Sequence, residues 1–475
     1  MPAGLTEKQA ATWMRPGAMA WAGPLVCLAG LVGVMSPRSM AFWLPLLLLA
    51  AIVPSLAFSK LAFSKLAFSR SGQTRATLPA AGLLQRLGAA ERRALAALAL
   101  FALWALASTL WSSDRGHSLG KSLYLLLVLA CFAGFSAWRG RAAPAVLQRI
   151  GIGLLCAVAA TSLVMALDVW TNQGLVRWLL VTFPGLRGES TKHILTSNGV
   201  ITGLTENEIN RRTAVLTLLL WPATLIAVDL WRARLRAQPL LAPSLPGKLL
   251  RIGFLPAVAA VLGAAGLAIA LGGHQSSQTA IVAGIATFVL ASFLPRTAVV
   301  AAIATWALLV LLIVPIVMGA HGKGLHEAPW LFHSARHRVV IWNRTVERIA
   351  LKPWVGIGAD ATPAAKEFAD DLKTKDGQFP VSTGRHAHNA YLQVWYELGG
   401  IGALLLLVAG LALLAAIAVL PAYLLPWALA QAATSAIMAA SSFSMWQVWF
   451  LASIGAGAAA GMLAGTISGN HRRLQ

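Results

Sequence analysis

Charge is scarce in this chain, and acid scarcer still. Of 475 residues only 11% are charged while 58% are hydrophobic, and the mean hydropathy is +0.71. A soluble globular chain carries roughly 25% charge, so that class is excluded and an integral membrane protein is expected. Asp and Glu number 16 against 38 Lys and Arg, a net charge of +22. With so few carboxylates there is no DxD and no carboxylate pair suited to a metal on the outer face. Asp360 and Asp370-Asp371 stand alone in a polar loop and read as solvated surface. Cysteine is also sparse. Cys27, Cys131 and Cys156 lie in apolar segments with no CxxC and no Cys/His cluster of ligand spacing, so they read as small core residues, and no metal or cofactor is expected. The N-terminus lacks a short apolar run followed by a signal-peptidase site, so the first hydrophobic segment is expected to be retained as a span.

Long apolar runs are what the chain has in plenty. A crossing of about 30 Å needs roughly 20 residues, and such stretches lie near 17–35, 40–58, 93–111, 121–138, 148–169, 213–231, 253–272, 278–294, 297–318, 400–420, 423–442 and 447–467. The expected fold is therefore all-α, with about twelve transmembrane helices. The Lys/Arg bias of short loops sets orientation. Lys60, Lys65, Arg70, Arg75, Arg86 and Arg92, then Arg139, Arg141 and Arg149, then Arg232, Arg234, Arg236, Lys248 and Arg251 fall on one side with Arg15, Arg296 and Arg472-Arg473. Both termini are expected on that cytoplasmic side. Three copies of Leu-Ala-Phe-Ser-Lys/Arg over 56–70 are too few for a solenoid and read as a local duplication extending the second helix. Three parts follow: 1–318 with nine spans and an outer segment at 170–212, 319–398 as a large outer loop, and 399–475 with three spans and a tail.

The outer loop 319–398 carries ten basic residues: Lys323, Arg336, Arg338, Arg344, Arg348, Lys352, Lys366, Lys373, Lys375 and Arg385. Long translocated loops escape the charge rule, so this basicity asks for an anionic partner outside the cytoplasm. A lipid phosphate or diphosphate at the membrane surface fits, with membrane lipids as general partners; nucleic acid does not. Within the loop Val339, Trp342, Val346 and Ile349 share one face of a helical wheel, opposite His337, Arg344 and Arg348. That pattern predicts an amphipathic helix ending before Lys352-Pro353. Arg338 falls at the edge of the apolar stripe beside Trp342, where a planar fork of donors suits phosphate oxygens; Arg344 and Arg348 read equally as a basic face on head groups. Arg211 and Arg212 stand at the outer end of the sixth span, either snorkelling to head groups or turned inward to hold an anion.

The stretch His386-Ala-His388-Asn389-Ala-Tyr391-Leu-Gln393-Val-Trp395-Tyr396-Glu397-Leu-Gly399-Gly400-Ile-Gly402 runs straight into a long apolar segment. Asn389, Gln393 and Glu397 recur at steps of four and form a polar row; Glu397 could hold a donor or orient a neighbour. An imidazole can accept a proton at working pH, so His388 is the candidate base. The alternative is an amphipathic interfacial anchor, and His386 is a further contact.

The pattern Trp342…Pro353-x-x-Gly356-x-Gly358…His388-Asn389-x-x-Leu392…Glu397-x-Gly399-x-x-Gly402, together with Ser108-x-x-Trp111-Ser112-x-Asp114, resembles the O-antigen ligase/O-antigen polymerase superfamily over about residues 90–420. The resemblance implies a membrane glycosyltransferase of GT-C-like architecture in the bacterial inner membrane, with the large loop periplasmic. It implies metal-independent transfer of a glycan from undecaprenyl diphosphate to an acceptor hydroxyl. The base would be the histidine matching His388, and the diphosphate would be held by Arg338 and Arg211 or Arg212, with Arg336 nearby. Asn389, Glu397, His386 and Trp342 would support them. The chain departs from relatives at Ser277-Gln278-Thr279, where many have an arginine after the serine. A ligase acting on lipid A-core is the first expectation; a polymerase or protein O-oligosaccharyltransferase would differ in acceptor. A twelve-span transporter would show repeat symmetry and mid-membrane charges, and the sequence has neither.

Overall fold

The computed structural model describes residues 21–47, 87–140, 142–187, 194–237, 245–365 and 386–473. The repeat at 56–70, Asp370-Asp371 and the basic residues of 366–385 lie outside them. Fourteen helices of nine or more residues are described: α1 (Ala22–Met35), α2 (Ala89–Ala107), α3 (Arg115–Arg139), α4 (Pro144–Trp170), α5 (Gly174–Thr182), α6 (Glu206–Ala237), α7 (Leu245–Leu271), α8 (Gln275–Phe293), α9 (Pro295–Leu311), α10 (Ile313–Gly322), α11 (His333–Ile349), α12 (Ala390–Ala418), α13 (Leu425–Ser441) and α14 (Val448–Arg473).

Among the described residues seven helices are long and apolar enough to cross a membrane, or eight if the bent pair α9–α10 is one span. Of the expected spans outside that count, 17–35 lies partly outside the described residues, 253–272 falls within the 27-residue α7, and 423–442 matches the 17-residue α13. The expected span 297–318 is broken by a 68° bend between Leu311 and Ile313, and 40–58 lies partly outside the described residues. Other boundaries move. The helix predicted from 213 begins at Glu206, so Arg211 and Arg212 sit in its second turn, and the helix predicted from 400 begins at Ala390.

One departure from an all-α fold has a visible cause. Strands β1 (Ile194–Ser197) and β2 (Val200–Leu204) pair antiparallel, with Ser197 opposite Val200 and a register irregularity between Leu195 and Thr196. Asn198 and Gly199 join them with φ of +50° and +76°, the two left-handed residues that a tight hairpin turn requires. The Asn-Gly pair between β-branched residues was the available signal.

The chain divides into two units: Met1–Trp43 with Trp138–Ile281 and Ala456–Gln475, and Leu44–Ala137 with Val282–Gly455. The second holds a core built around Phe101, Tyr391, Leu392, Leu398, Ala403 and Trp446. The predicted amphipathic helix is α11, with Val339, Val346 and Ile349 buried and Trp342 packed against that core. It ends at Ile349, ahead of Pro353, as the proline predicts.

Candidate active site

The site is built on the turn that feeds α12. Asn389 is extended and caps the helix, its side chain accepting from the Tyr391 and Leu392 amides at 3.0 and 3.1 Å. Two otherwise unpaired helix N–H groups are thereby satisfied. His388, one residue earlier, takes φ +51°, a left-handed conformation that L residues other than glycine adopt only when held there. The holding contacts are on either side. The His388 amide donates to Nδ1 of His386 at 3.2 Å, and the Trp342 indole donates to the Ala387 carbonyl at 2.9 Å.

The His388 ring is oriented from the α13–α14 turn. Its Nδ1 lies 2.9 Å from the Ser442 carbonyl. A carbonyl only accepts, so Nδ1 carries the proton and Nε2 keeps a bare lone pair. The His386 and His388 rings lie 4.0 Å apart between centroids. Burial lowers both: His388 to about 4, with Arg338 and His337 adding to the effect and the Ser442 hydrogen bond opposing it, and His386 to about 3, with His388 and Arg338 adding. Both imidazoles are therefore neutral near pH 7. Arg338 is half-buried and has no hydrogen bond or ion pair among the described residues; burial lowers its pKa. A desolvated guanidinium without a partner is costly unless an anion meets it. Arg336 shares α11 and has a buried Nε with no partner, but no contact among the described residues joins it to His388.

Glu397 is fully buried and gathers five donors. Its carboxylate accepts from the Asp360 amide at 3.1 Å, the Thr362 amide at 3.3 Å, the Thr362 hydroxyl at 2.5 Å, the Gln393 amide group at 3.2 Å and the Trp446 indole. Asp360, expected as solvated surface, is instead buried, at φ +49°, with its carboxylate 2.8 Å from His117 Nε2 and 3.3 Å from Lys121 Nζ. The expectation failed because the partners arrive from α3, far away in sequence.

The glycine motifs explain how that segment reaches α12. Gly399 breaks the helix at φ +66°, ψ −171°, a region essentially confined to glycine. The carbonyls freed there are taken up from outside: Tyr396 by the Ile357 amide at 3.3 Å, Glu397 by the Gly358 amide at 2.8 Å, Leu398 by the Trp104 indole at 3.0 Å. In return the Gly400 and Ile401 amides donate to Pro353 and Trp354 at 2.8 and 3.2 Å. The Pro353–Gly358 segment thus replaces the missing helical bonds at a depth where unpaired backbone groups are expensive. Contact is too close for side chains. A Cβ on Gly356 would lie 2.3 Å from the Glu397 backbone, one on Gly399 2.3 Å from Trp354, and one on Gly358 2.5 Å from Ser112. The Ser108–Asp114 motif closes the other side, where Ser108 accepts from the Ala359 amide at 3.0 Å and Ser118 donates to the Ala359 carbonyl at 2.5 Å. Gly399→Ala is expected to cost about 1–3 kcal/mol in backbone strain alone and more through the clash. The check is thermal unfolding in detergent, where an unchanged midpoint would contradict this account of the kink.

Arg211 and Arg212 belong to the other unit. Arg211 is paired with Glu208, which also binds Arg38 at 3.1 Å; Arg212 is half-buried, and its Nε has no hydrogen-bond partner among the described residues. Gln278 donates to the Ala270 carbonyl at 2.7 Å and so closes the end of α7. The sequence therefore named His386, His388, Arg338, Trp342, Asn389 and Glu397, which the structure gathers within one unit. It missed His117, Lys121, Ser442, Ser444 and Trp446; the polar run Ser441-Ser442-Phe-Ser444 between apolar stretches was the signal for Ser444 alone. Among the described residues no group of three His, Cys, Asp or Glu side chains is placed to hold a metal ion.

No curated protein matches the sequence. Residues 258–407 match the family model described as O-antigen ligase, a stretch that includes α11, the Pro353–Gly358 segment, His388 and the Gly399 kink. Over those residues the chain is similar to the O-antigen ligase family.

Proposed function

We propose that the protein is an O-antigen ligase: it moves a glycan from undecaprenyl diphosphate to a sugar hydroxyl of lipid A-core, on the periplasmic face of the bacterial inner membrane. The carrying observation is a neutral His388, its Nδ1–H committed to the Ser442 carbonyl, under the influence of Arg338, which has no hydrogen bond or ion pair among the described residues. The donor's diphosphate is already a good leaving group. What the chemistry needs is stabilisation of the charge that gathers on it and removal of a proton from the acceptor. Arg338, with Arg336 on the same helix, supplies the first by preorganised electrostatics. Nε2 of His388 supplies the second, worth about 10²–10⁴-fold. The hydroxyl attacks the anomeric carbon as the bond to diphosphate breaks, so one displacement inverts that centre. No step calls for a metal or cofactor. The large periplasmic loop 319–398 delivers α11 to this site, and both termini lie in the cytoplasm.

Arg338→Ala is expected to raise the donor KM by about ten- to a hundredfold, the worth of a charge-assisted hydrogen bond of about 1.5–3 kcal/mol, and Arg344→Ala by much less. The pH profile gives a second readout. Because the His388 pKa is lowered to about 4, the base stays unprotonated as pH falls through 6.5, and the acid limb of kcat/KM lies near 4. Removing the Arg338 charge raises that limb. The sign for stability is the same: the folded state binds fewer protons than the unfolded, so stability present above pH 6.5 is lost as pH falls toward 4. Equal, negligible effects of both arginines, with an unmoved limb, would return them to a surface basic face. Presenting lipid A-core, a lipid-linked glycan and a serine- or threonine-bearing protein in parallel separates ligase from polymerase and protein O-oligosaccharyltransferase.

A further inference from the structure

The orientation of His388 depends on a backbone carbonyl, and that carbonyl belongs to a turn which α12 itself holds. The turn between α13 and α14 contains Ser442, Ser444, Met445 and Trp446. Gln393 is 1% exposed, and three of the four hydrogen-bonding positions of its amide face a partner. Its oxygen accepts from the Met445 amide at 3.2 Å, and its nitrogen donates to the Ser444 hydroxyl at 3.0 Å and to the Glu397 carboxylate at 3.2 Å. The partners fix which end is which, since a backbone N–H can only donate and a carboxylate only accept. Ser444 Oγ in turn accepts from the Trp446 amide at 3.2 Å, and Trp446 is tied to Glu397 by its indole and to Lys121 through its carbonyl at 3.0 Å. Two residues before Ser444, the Ser442 carbonyl meets His388 Nδ1 at 2.9 Å.

Gln393 lies five residues after His388 on the same chain segment, so one element carries both the base and the clamp for the group that aims it. We propose that Gln393 is a positioning residue for His388: by fixing Ser444 and Met445 it holds the Ser442 carbonyl where it selects the Nδ1–H form and points Nε2 outward. This rests on His388 being the base of the transfer reaction. A side chain present only to fill the core could be replaced by one of equal volume; a positioning amide cannot.

The test uses full-length protein labelled with ¹⁵N at histidine, in lipid bilayers without substrate, with His388→Gln identifying the His388 ring signals. In the wild type the two ring nitrogens should give one protonated and one bare resonance, the mark of a single tautomer. Gln393→Met, of similar volume and unable to make these bonds, should show mixed or averaged His388 signals, and kcat lower by up to about 10²-fold, the scale of a small misplacement, with little change in donor KM. Ser444→Ala, which disturbs packing less, should shift both readouts in the same direction, and Ser444→Thr should restore them. Wild-type ring signals in both Gln393→Met and Ser444→Ala would overturn the proposal whatever their activity. Failure of the wild type to transfer glycan would count against the base assignment instead, and the ring signals, read without substrate, would still decide whether Gln393 sets the tautomer.

Discussion

His388→Ala is expected to lower glycan transfer by about 10²–10⁴-fold, the range spanned by general-base catalysis, while the protein still inserts and folds. Structure and chemistry separate cleanly at this residue. The ring makes one hydrogen bond to the Ser442 carbonyl, and the helix behind it is capped by Asn389, not by His388. The one structural demand is the left-handed backbone at φ +51°. Asparagine tolerates that conformation better than most residues, so His388→Asn guards against mistaking backbone strain for lost catalysis. Both variants should keep the wild-type unfolding midpoint to within a few degrees and lose transfer together. Donor KM should change little if, as proposed, arginine and not His388 holds the diphosphate.

Glu397→Ala is expected to act in the opposite way, through the fold. Five donors converge on this carboxylate from the 360–362 segment, from Gln393 and from Trp446. Each buried donor left without a partner costs about 1–3 kcal/mol, so the sum is of order 5 kcal/mol or more. The variant should fail to accumulate as folded protein, or unfold at a far lower temperature. Glu397→Gln keeps one acceptor oxygen and should fall between the two. A Glu397→Ala protein with wild-type thermal stability and impaired turnover would show that Glu397 acts in the chemistry and not as the centre of this network.

These two residues also show how far sequence reasoning reaches. His388 was readable because a histidine at the mouth of an apolar run is chemically conspicuous, and Arg338 because its place beside Trp342 follows from helical periodicity. Asn389, Gln393 and Glu397 were readable as a polar row for the same reason. Their partners were not. Asp360 looked like solvated loop because nothing local announces His117 and Lys121, which come from α3. Ser442 contributes a backbone carbonyl, which every residue possesses, so its identity carries no signal. The glycines at 356, 358 and 399 suggested turns and close helix packing, but their purpose, a segment of loop standing in for broken helical hydrogen bonds, depends on two stretches meeting. Apolar composition also cannot tell a straight crossing from the 68° bend at α9–α10.

The most direct test of the central claim is transfer by purified wild-type protein in liposomes carrying undecaprenyl-diphosphate-linked glycan and lipid A-core, run beside His388→Ala at pH 7. The wild type should join glycan to the core with inverted anomeric configuration, and the variant should give essentially none. Turnover by His388→Ala at the wild-type rate, or movement of the lipid-linked glycan across the bilayer with no transfer, would contradict it.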